Sequence, residues 1–408
     1  MWKKIICLII LFNCIIGSLQ FSFADDIDEE LEDMELSKSI ETASIVENEP
    51  NINARIAVAY DRKSGKVIYG KNENKRTAMA STTKIMTAIV LIENADLNQT
   101  ITVSAKAAGT GGSRLGLKHN DKITMKDLLY GLMLKSGNDA AVAIAENVGG
   151  SIEKFADLMN EKAKEIGLDN THYVTPHGLD NPEHYTTAYE LAKLADYALK
   201  NEIFAKVVNT KNYTVTINGY PKNITNTNEL LGYLDGVNGV KTGFTNNAGR
   251  CLVTSVNRNE FEIITVVLQA DTKKIRTTDS ISLIEYVYKN YELFNIKEIV
   301  DKQFQEWCMI NKNRIVINKC KNSNIELYKT QLSNNIIPIK KTDKDNINIE
   351  INNLYYFEAP VEKDRIIGTL KVMLNDEVIE VVDIKVKNLI ERKDVMDYFK
   401  LFLSKLNV

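Results

Sequence analysis

A serine and a lysine three residues apart, Ser81-Thr82-Thr83-Lys84, constrain this chain more than any other stretch. The continuation, Ile85-Met86-Thr87-Ala88-Ile89-Val90-Leu91-Ile92, is apolar enough for a helix buried on most sides. Positions i and i+3 share one face of a helix, so the amine reaches the hydroxyl oxygen. A serine becomes a strong nucleophile when a base takes its proton. A lysine serves as that base only if burial or a cationic neighbour lowers its pKa. Lys241, in Lys241-Thr242-Gly243, is the candidate neighbour.

A bare Ser-x-x-Lys is weak; ordinary residue usage yields roughly one or two in a chain this long. Ser151-Ile152-Glu153-Lys154 is a second copy, but it follows Gly149-Gly150 and Ser151 reads as a helix N-cap. Order and context carry the signal. Ser136-Gly137-Asn138 precedes a second apolar segment, Ala140 to Val148. Its Ser-x-Asn pattern recurs at Ser255-Val256-Asn257 and Ser333-Asn334-Asn335, whereas Lys-Thr-Gly occurs once, after a Gly/Asn-rich turn and ahead of strands.

The three elements in this order are the signature of penicillin-binding proteins and serine β-lactamases. Met79-Ala80-Ser81-Thr82-Thr83-Lys84-Ile85-Met86-Thr87 resembles the active-site helix of low-molecular-mass penicillin-binding proteins, the serine D-alanyl-D-alanine carboxypeptidases. Pro176-His177-Gly178-Leu179-Asp180, Lys241-Thr242-Gly243-Phe244-Thr245, Ala248-Gly249-Arg250 and Ala359-Pro360-Val361-Glu362-Lys363 resemble the same family. The resemblance spans roughly residues 50 to 390. It implies an α+β, penicillin-binding-protein/β-lactamase-like transpeptidase fold, in which a mostly antiparallel sheet is covered by helices. A small all-β domain and a C-terminal amphipathic helix would follow.

The resemblance also implies roles. Ser81 is the nucleophile and Lys84 its base; Ser136, Asn138 and Lys241 complete the catalytic group. Thr242, Gly243 and Phe244 line the substrate strand, with the backbone N–H groups of Ser81 and Phe244 as oxyanion hole, and Thr242 and Arg276 take the terminal carboxylate. The substrate would be the peptidoglycan stem peptide ending in D-Ala-D-Ala, with β-lactams acylating the same serine and no cofactor. Phe244 stands where some members carry a histidine, which affects a side-chain role and not the backbone donor. His177 matches a family histidine near the site, with a structural loop role equally open. No Glu-x-x-Leu-Asn loop offers a class A deacylating glutamate, which argues against a β-lactamase, and the complete set of catalytic side chains argues against an idle scaffold.

Residues 1–24 read as a signal peptide, with Lys3 and Lys4 leading, Ile5 to Ile16 as apolar core, and Ser22-Phe23-Ala24 before the cut. The rival reading is an uncleaved anchor, for which that core is short of the roughly 20 residues a bilayer requires. Residues 25–53 are acidic and read as a disordered arm. A catalytic domain at 54–294 and a β domain at 295–389 follow. Residues 390–408 carry Val395, Tyr398, Phe399, Phe402 and Leu406 at helical spacing among lysines, a pattern for a membrane-anchoring helix or for one docked on the β domain. The family's usual anchor favours the membrane, and hence the extracytoplasmic face of a bacterial cell.

A net charge of −3 argues against a nucleic-acid partner. Two of the five cysteines lie in the signal segment. The odd remainder, Cys251, Cys308 and Cys320, gives no disulfide framework, though Cys308 and Cys320 would pair if strands met there. No residue group has metal-ligand spacing.

Overall fold

The computed structural model describes residues 49–406, which form two compact units divided between Lys289 and Asn290. The signal peptide and most of the acidic arm lie outside the described residues. In the first unit, strands β1 (Ile56–Asp61) and β2 (Val67–Lys71) form an antiparallel hairpin. The chain then makes a 3-10 turn, Ala80–Thr83, and enters helix α1 (Lys84–Asn94). A ribbon of β3 (Thr100–Thr102) and β4 (Lys122–Thr124) brackets the one-turn helix α2 (Ala105–Ala108).

Five helices follow: α3 (Met125–Leu134), α4 (Asn138–Val148), α5 (Ile152–Ile166), α6 (Ala188–Leu199) and α7 (Glu202–Val208). Their ends are set locally. Thr124, Ser151 and Thr187 each accept a backbone N–H as N-caps, so Ser151 does occupy a cap, and Gly167 stops α5 at φ 76°. The hairpin β5 (Asn212–Ile217) and β6 (Tyr220–Thr225) leads to β7 (Val237–Thr245), β8 (Gly249–Arg258), β9 (Phe261–Ala270) and helix α8 (Lys273–Asn290).

The main sheet has the order β2-β1-β9-β8-β7, antiparallel throughout, with β7 at one edge. Both faces are covered because alternate residues on both sides are apolar. Ile56 and Val58 of β1 and Ile264, Val266 and Leu268 of β9 join the core that encloses α1, α3, α4 and α6. Ala57, Ala59, Ile263 and Val267 are buried as well. Helix α8 covers sheet too: its Tyr288 hydroxyl donates to Val256 O (3.0 Å) and Phe261 O (2.7 Å). Helix α1 is the centre, with every residue from Lys84 to Leu91 buried.

One difference from the sequence expectation concerns this unit. Residues 50–53, assigned to the arm, are seated on it. Pro50 and Ile52 are buried, Lys71 Nζ donates to Ile52 O (2.5 Å), and Asn53 Nδ2 donates to Asp279 Oδ1 (3.3 Å). Helix α8 begins at Lys273, so Arg276 lies inside its first turn.

The second unit opens with β10 (Tyr291–Asn295) and a sixteen-residue helix, α9 (Ile296–Asn311). The strands are β11 (Val316–Asn318), β12 (Leu327–Lys329), β13 (Ile336–Lys340), β14 (Ile347–Asn353), β15 (Tyr356–Glu358), β16 (Ile366–Leu374) and β17 (Glu377–Val386). Four of them form the sheet β12-β17-β16-β14. The sequence reading passed over α9. Its Ile296, Val300, Phe304 and Trp307 recur at helical spacing and join the cores beneath the strands. Cys308 lies on this helix and Cys320 beyond β11, and both are free thiols. The terminal helix α10 (Val395–Leu406) starts later than the expected tail, because Ile390 and Arg392 bridge to Val361 and Cys320.

Candidate active site

Ser81 sits in the 3-10 turn ahead of α1 and Lys84 opens the helix, so both share one short, wholly buried segment. Lys84 Nζ lies 2.7 Å from Ser81 Oγ, 2.7 Å from Asn138 Oδ1 and 3.0 Å from the His177 carbonyl oxygen. Burial holds its pKa well below the ordinary lysine value, and the positive charge of Lys241 depresses it further, with Asp139 opposing. An uncharged amine matches these neighbours. Its two N–H groups serve Asn138 Oδ1 and His177 O, and its lone pair faces the Ser81 hydroxyl. Ser136 is buried at φ 59° and is not among the three partners of Lys84. Ala80, at φ 47°, is the second non-glycine residue of the centre in the left-handed region. Such conformations cost about 1–3 kcal/mol each and persist where surrounding packing imposes them.

The stretch Pro176-His177-Gly178 wraps the start of α1 with its backbone. Pro176 O accepts from Thr87 Oγ1 (2.6 Å) and His177 O receives Lys84. Gly178, at φ 86°, passes so near the nucleophile turn that a Cβ would stand 1.9 Å from Ala80 O. The His177 imidazole is not the group that meets the lysine. Its Nδ1 accepts from Leu179 N (3.2 Å), and burial, with Lys84 beside it, lowers its pKa to about 3. His184, which the sequence did not single out, bonds Thr83 Oγ1 through Nε2 (2.8 Å) while its Nδ1 accepts from Val174 N (3.0 Å). That acceptor role places the proton on Nε2.

Asn138 and Asp139 form the opposite wall at the start of α4. Asn138 Nδ2 donates to Gly111 O (2.8 Å), and its N–H donates to Ser113 O (2.8 Å). Asp139, fully buried, accepts from the backbone N–H groups of Leu115 (2.8 Å), Gly116 (2.8 Å) and Leu117 (2.9 Å). The glycine-rich stretch 109–116 is therefore stitched to the residue that touches Lys84 and to its neighbour. Sequence reasoning missed Asp139. A carboxylate in the first turn of a helix reads as an ordinary helix-dipole partner.

The third wall is the edge strand β7. Lys241 is buried and its Nζ donates to Thr242 O (2.8 Å). A Cβ on Gly243 would lie 3.0 Å from Ser81 N, so glycine is what lets the strand approach the nucleophile turn. Phe244 carries the Arg250 guanidinium 4.0 Å from its ring centre. Thr242 Oγ1 lies 2.7 Å from Thr227 Oγ1. Two residues on, Glu229 pairs with Arg276, so one short segment links Thr242 and Arg276. Arg276 is fully buried. Among the described residues no three His, Cys, Asp or Glu side chains converge as metal ligands.

A buried serine–lysine pair between a helical core and a sheet edge defines a serine acyl-transfer enzyme of the penicillin-recognising class. The chain belongs to the D-alanyl-D-alanine carboxypeptidases: that family matches residues 43–272, and the C-terminal domain of penicillin-binding protein 5 matches residues 309–392. Among curated relatives, the D-alanyl-D-alanine carboxypeptidase DacF of Bacillus subtilis is 34% identical over 356 residues, covering 85% of this chain and 88% of that one. The crystal structure of the carboxypeptidase DacD from Francisella tularensis is similar at a TM-score of 0.68 and 27% identity, covering 85% of this chain and 97% of that one. Penicillin-binding protein 5 of Haemophilus influenzae gives a TM-score of 0.68 at 26% identity, over 85% of this chain and 99% of that one.

Two outcomes follow from this geometry. Gly178→Ala places a methyl inside Ala80 O at a positive φ, and is expected to cost more than about 2 kcal/mol of stability along with penicillin acylation. Denaturant unfolding and acylation rates measure both. The depressed pKa of Lys84 gives a second. Its folded pKa lies below 10.5, so the unfolded chain binds a proton that the folded one refuses. The resulting penalty is absent above 10.5 and grows as pH falls from there toward the folded pKa. The difference in melting midpoint between Lys84→Met and wild type should therefore shrink as pH rises toward 10.5. Wild-type acylation should fall as pH drops through the folded pKa. A flat midpoint difference would mean that Lys84 is charged in the fold.

Proposed function

We propose that the protein removes the terminal D-alanine from peptidoglycan stem peptides through an acyl-enzyme on Ser81. The observation that carries this reading is the buried Lys84, held 2.7 Å from Ser81 Oγ with its pKa depressed. The Ser81 hydroxyl gives its proton to Lys84 Nζ as Oγ attacks the carbonyl carbon of the penultimate D-alanine. The oxyanion is received by the backbone N–H groups of Ser81 and Phe244. Ser136, between the lysines in role, passes the proton to the leaving amine. Lys241 keeps Lys84 neutral at rest. Asn138 orients Lys84 and the substrate amide, while Thr242 and Arg276, the latter steadied by Glu229, hold the terminal carboxylate. Water then cleaves the ester, with Lys84 again as base.

The same geometry favours a slow rather than a fast β-lactamase. Among the described residues no carboxylate bonds Ser81 or Lys84, and the third partner of Lys84 is a backbone carbonyl. A penicilloyl ester then has Lys84 alone, with no carboxylate beside it, to activate the water for its hydrolysis.

The second part of the proposal is attachment to the outer face of the cell membrane through α10. This helix exposes Val395 (83%), Met396 (61%), Phe399 (53%) and Phe402 (59%), with Lys400 and Lys405 among them. Exposed apolar area of this kind calls for a cover, and a lipid interface with anionic headgroups suits both the rings and the lysines. No helix of the described residues is long and apolar enough to cross a membrane.

Incubation with a stem pentapeptide should release one alanine, and penicillin should leave a persistent mass adduct. Ser81→Ala should abolish both, whereas labelling that survives would move the nucleophile elsewhere. Removing residues 395–408, which leaves the Ile390 and Arg392 bridges intact, should free the protein from vesicles while hydrolysis of a soluble peptide continues. Vesicle binding that persists would place the anchor outside α10.

A further inference from the structure

Past the C-terminal end of β7 the surface opens into a pocket of about 520 Å³, lined among others by Arg76, Asp180, Tyr185, Asn247 and Gln269. It adjoins the catalytic centre. Asp180 closes the Pro176–Asp180 stretch, and its Oδ1 accepts from Thr245 Oγ1 (2.5 Å), the residue after Phe244. Tyr185 follows His184, which holds Thr83 inside the nucleophile turn.

The pocket contains two opposite charges that do not pair with each other. Arg76 Nε and Nη2 both donate to Asn170 Oδ1 (3.1 and 2.9 Å), and its guanidinium lies 4.8 Å from the Tyr185 ring centre. Asn170 is itself anchored, its N–H donating to Glu190 (2.8 Å). The guanidinium is thus held in place by a neutral amide and a ring, with no carboxylate among the described residues compensating it. Asp180 is held by a hydroxyl and, more loosely, by Asn247 N (3.4 Å), with no cation paired to it among the described residues. A fixed cation and a fixed anion lining one open recess suit a ligand that brings both signs.

The direction of the substrate follows from the proposed reaction, on which this inference rests. With the terminal carboxylate at Thr242 and the attacked carbonyl between Ser81 and Phe244, the peptide runs antiparallel to β7 as an added strand. Each residue advances about 3.3 Å. The residue before the acylating D-alanine therefore comes level with Thr245, at the mouth of the pocket.

We propose that this pocket is the subsite for that preceding residue and is built for a diamino-dicarboxylic side chain, one that ends in an ammonium and a carboxylate on the same carbon. Asp180 takes the ammonium. Arg76 takes the carboxylate through the edge of its fork not used by Asn170, a match of planar donor to planar acceptor. A lysine side chain offers only the first contact, and an uncharged chain of equal length offers neither.

The test uses the mature chain and three N-acetylated peptides ending in D-Ala-D-Ala, with meso-2,6-diaminopimelate, L-lysine or L-norleucine ahead of the alanines. Wild-type kcat/KM should fall in that order. Arg76→Gln should erase most of the advantage of diaminopimelate over lysine, about tenfold, as expected for one charge-assisted contact. Asp180→Asn, which keeps an acceptor for Thr245, should lower both charged peptides about tenfold relative to norleucine. Comparing peptides within one variant cancels any loss of folded protein. A wild type that cleaves all three alike, or variants that slow all three by one factor, would overturn the subsite alone. A wild type that cleaves none of them would overturn the carboxypeptidase reading and the subsite with it.

Discussion

A lysine amine enclosed in the core, its pKa driven down by that burial, is the constraint on which the rest of the first unit depends. Lys84 is fully enclosed, yet it has a hydroxyl, an amide oxygen and a backbone carbonyl within 3.0 Å. Burying a lysine in apolar surroundings is costly, and the group escapes much of the cost by shedding its proton. Each neighbour must then be delivered from a different part of the chain. Ser81 comes from the turn before α1, Asn138 from the start of α4, His177 O from the stretch before α6, and the Lys241 charge from β7. The helical core, by burial, and the sheet edge, through Lys241, both press the lysine toward its uncharged form.

The supporting layer is mostly backbone. Asp139 gathers three consecutive N–H groups of the 109–116 rim and its end, and Pro176 and His177 contribute carbonyls. Gly178 and Gly243 contribute the absence of a side chain. Backbone contacts of this sort are rigid and permit little adjustment, which suits a site whose acid–base chemistry depends on tenths of an ångström.

How much of this was legible in the sequence follows from what kind of signal each part leaves. The side chains proposed to carry the chemistry were visible: Ser81, Lys84, Ser136, Asn138 and Lys241 stand in short motifs of fixed order. The buried helices α1 and α4 were visible because their apolar runs, Ile85 to Ile92 and Ala140 to Val148, are plain. The helix α9 was not, since its stripe of Ile296, Val300, Phe304 and Trp307 is diluted by charged residues between them. Nor were the parts that act through backbone or through position. Nothing in the letters Pro-His-Gly says that the carbonyl of the histidine matters more than its ring. Glu229 lies 47 residues before its partner Arg276, with no local pattern to join them. The docking of residues 50–53 escaped notice because a short polar segment resembles a loose arm until Asp279 is found waiting for it.

The sheet edge has a consequence for what the enzyme leaves alone. Along β7, Val240, Lys241 and Thr242 are each 1% exposed, so little of the strand proposed to accept the peptide is open to a partner. On that reading only a thin, pliable chain end reaches it. A folded polypeptide presents its termini on a bulky surface and would have to unravel several residues first, at a conformational and packing cost no binding strand repays. Neighbouring proteins are thus spared by calibre before any side chain inspects them, and a hydrolase can work among them without a guard.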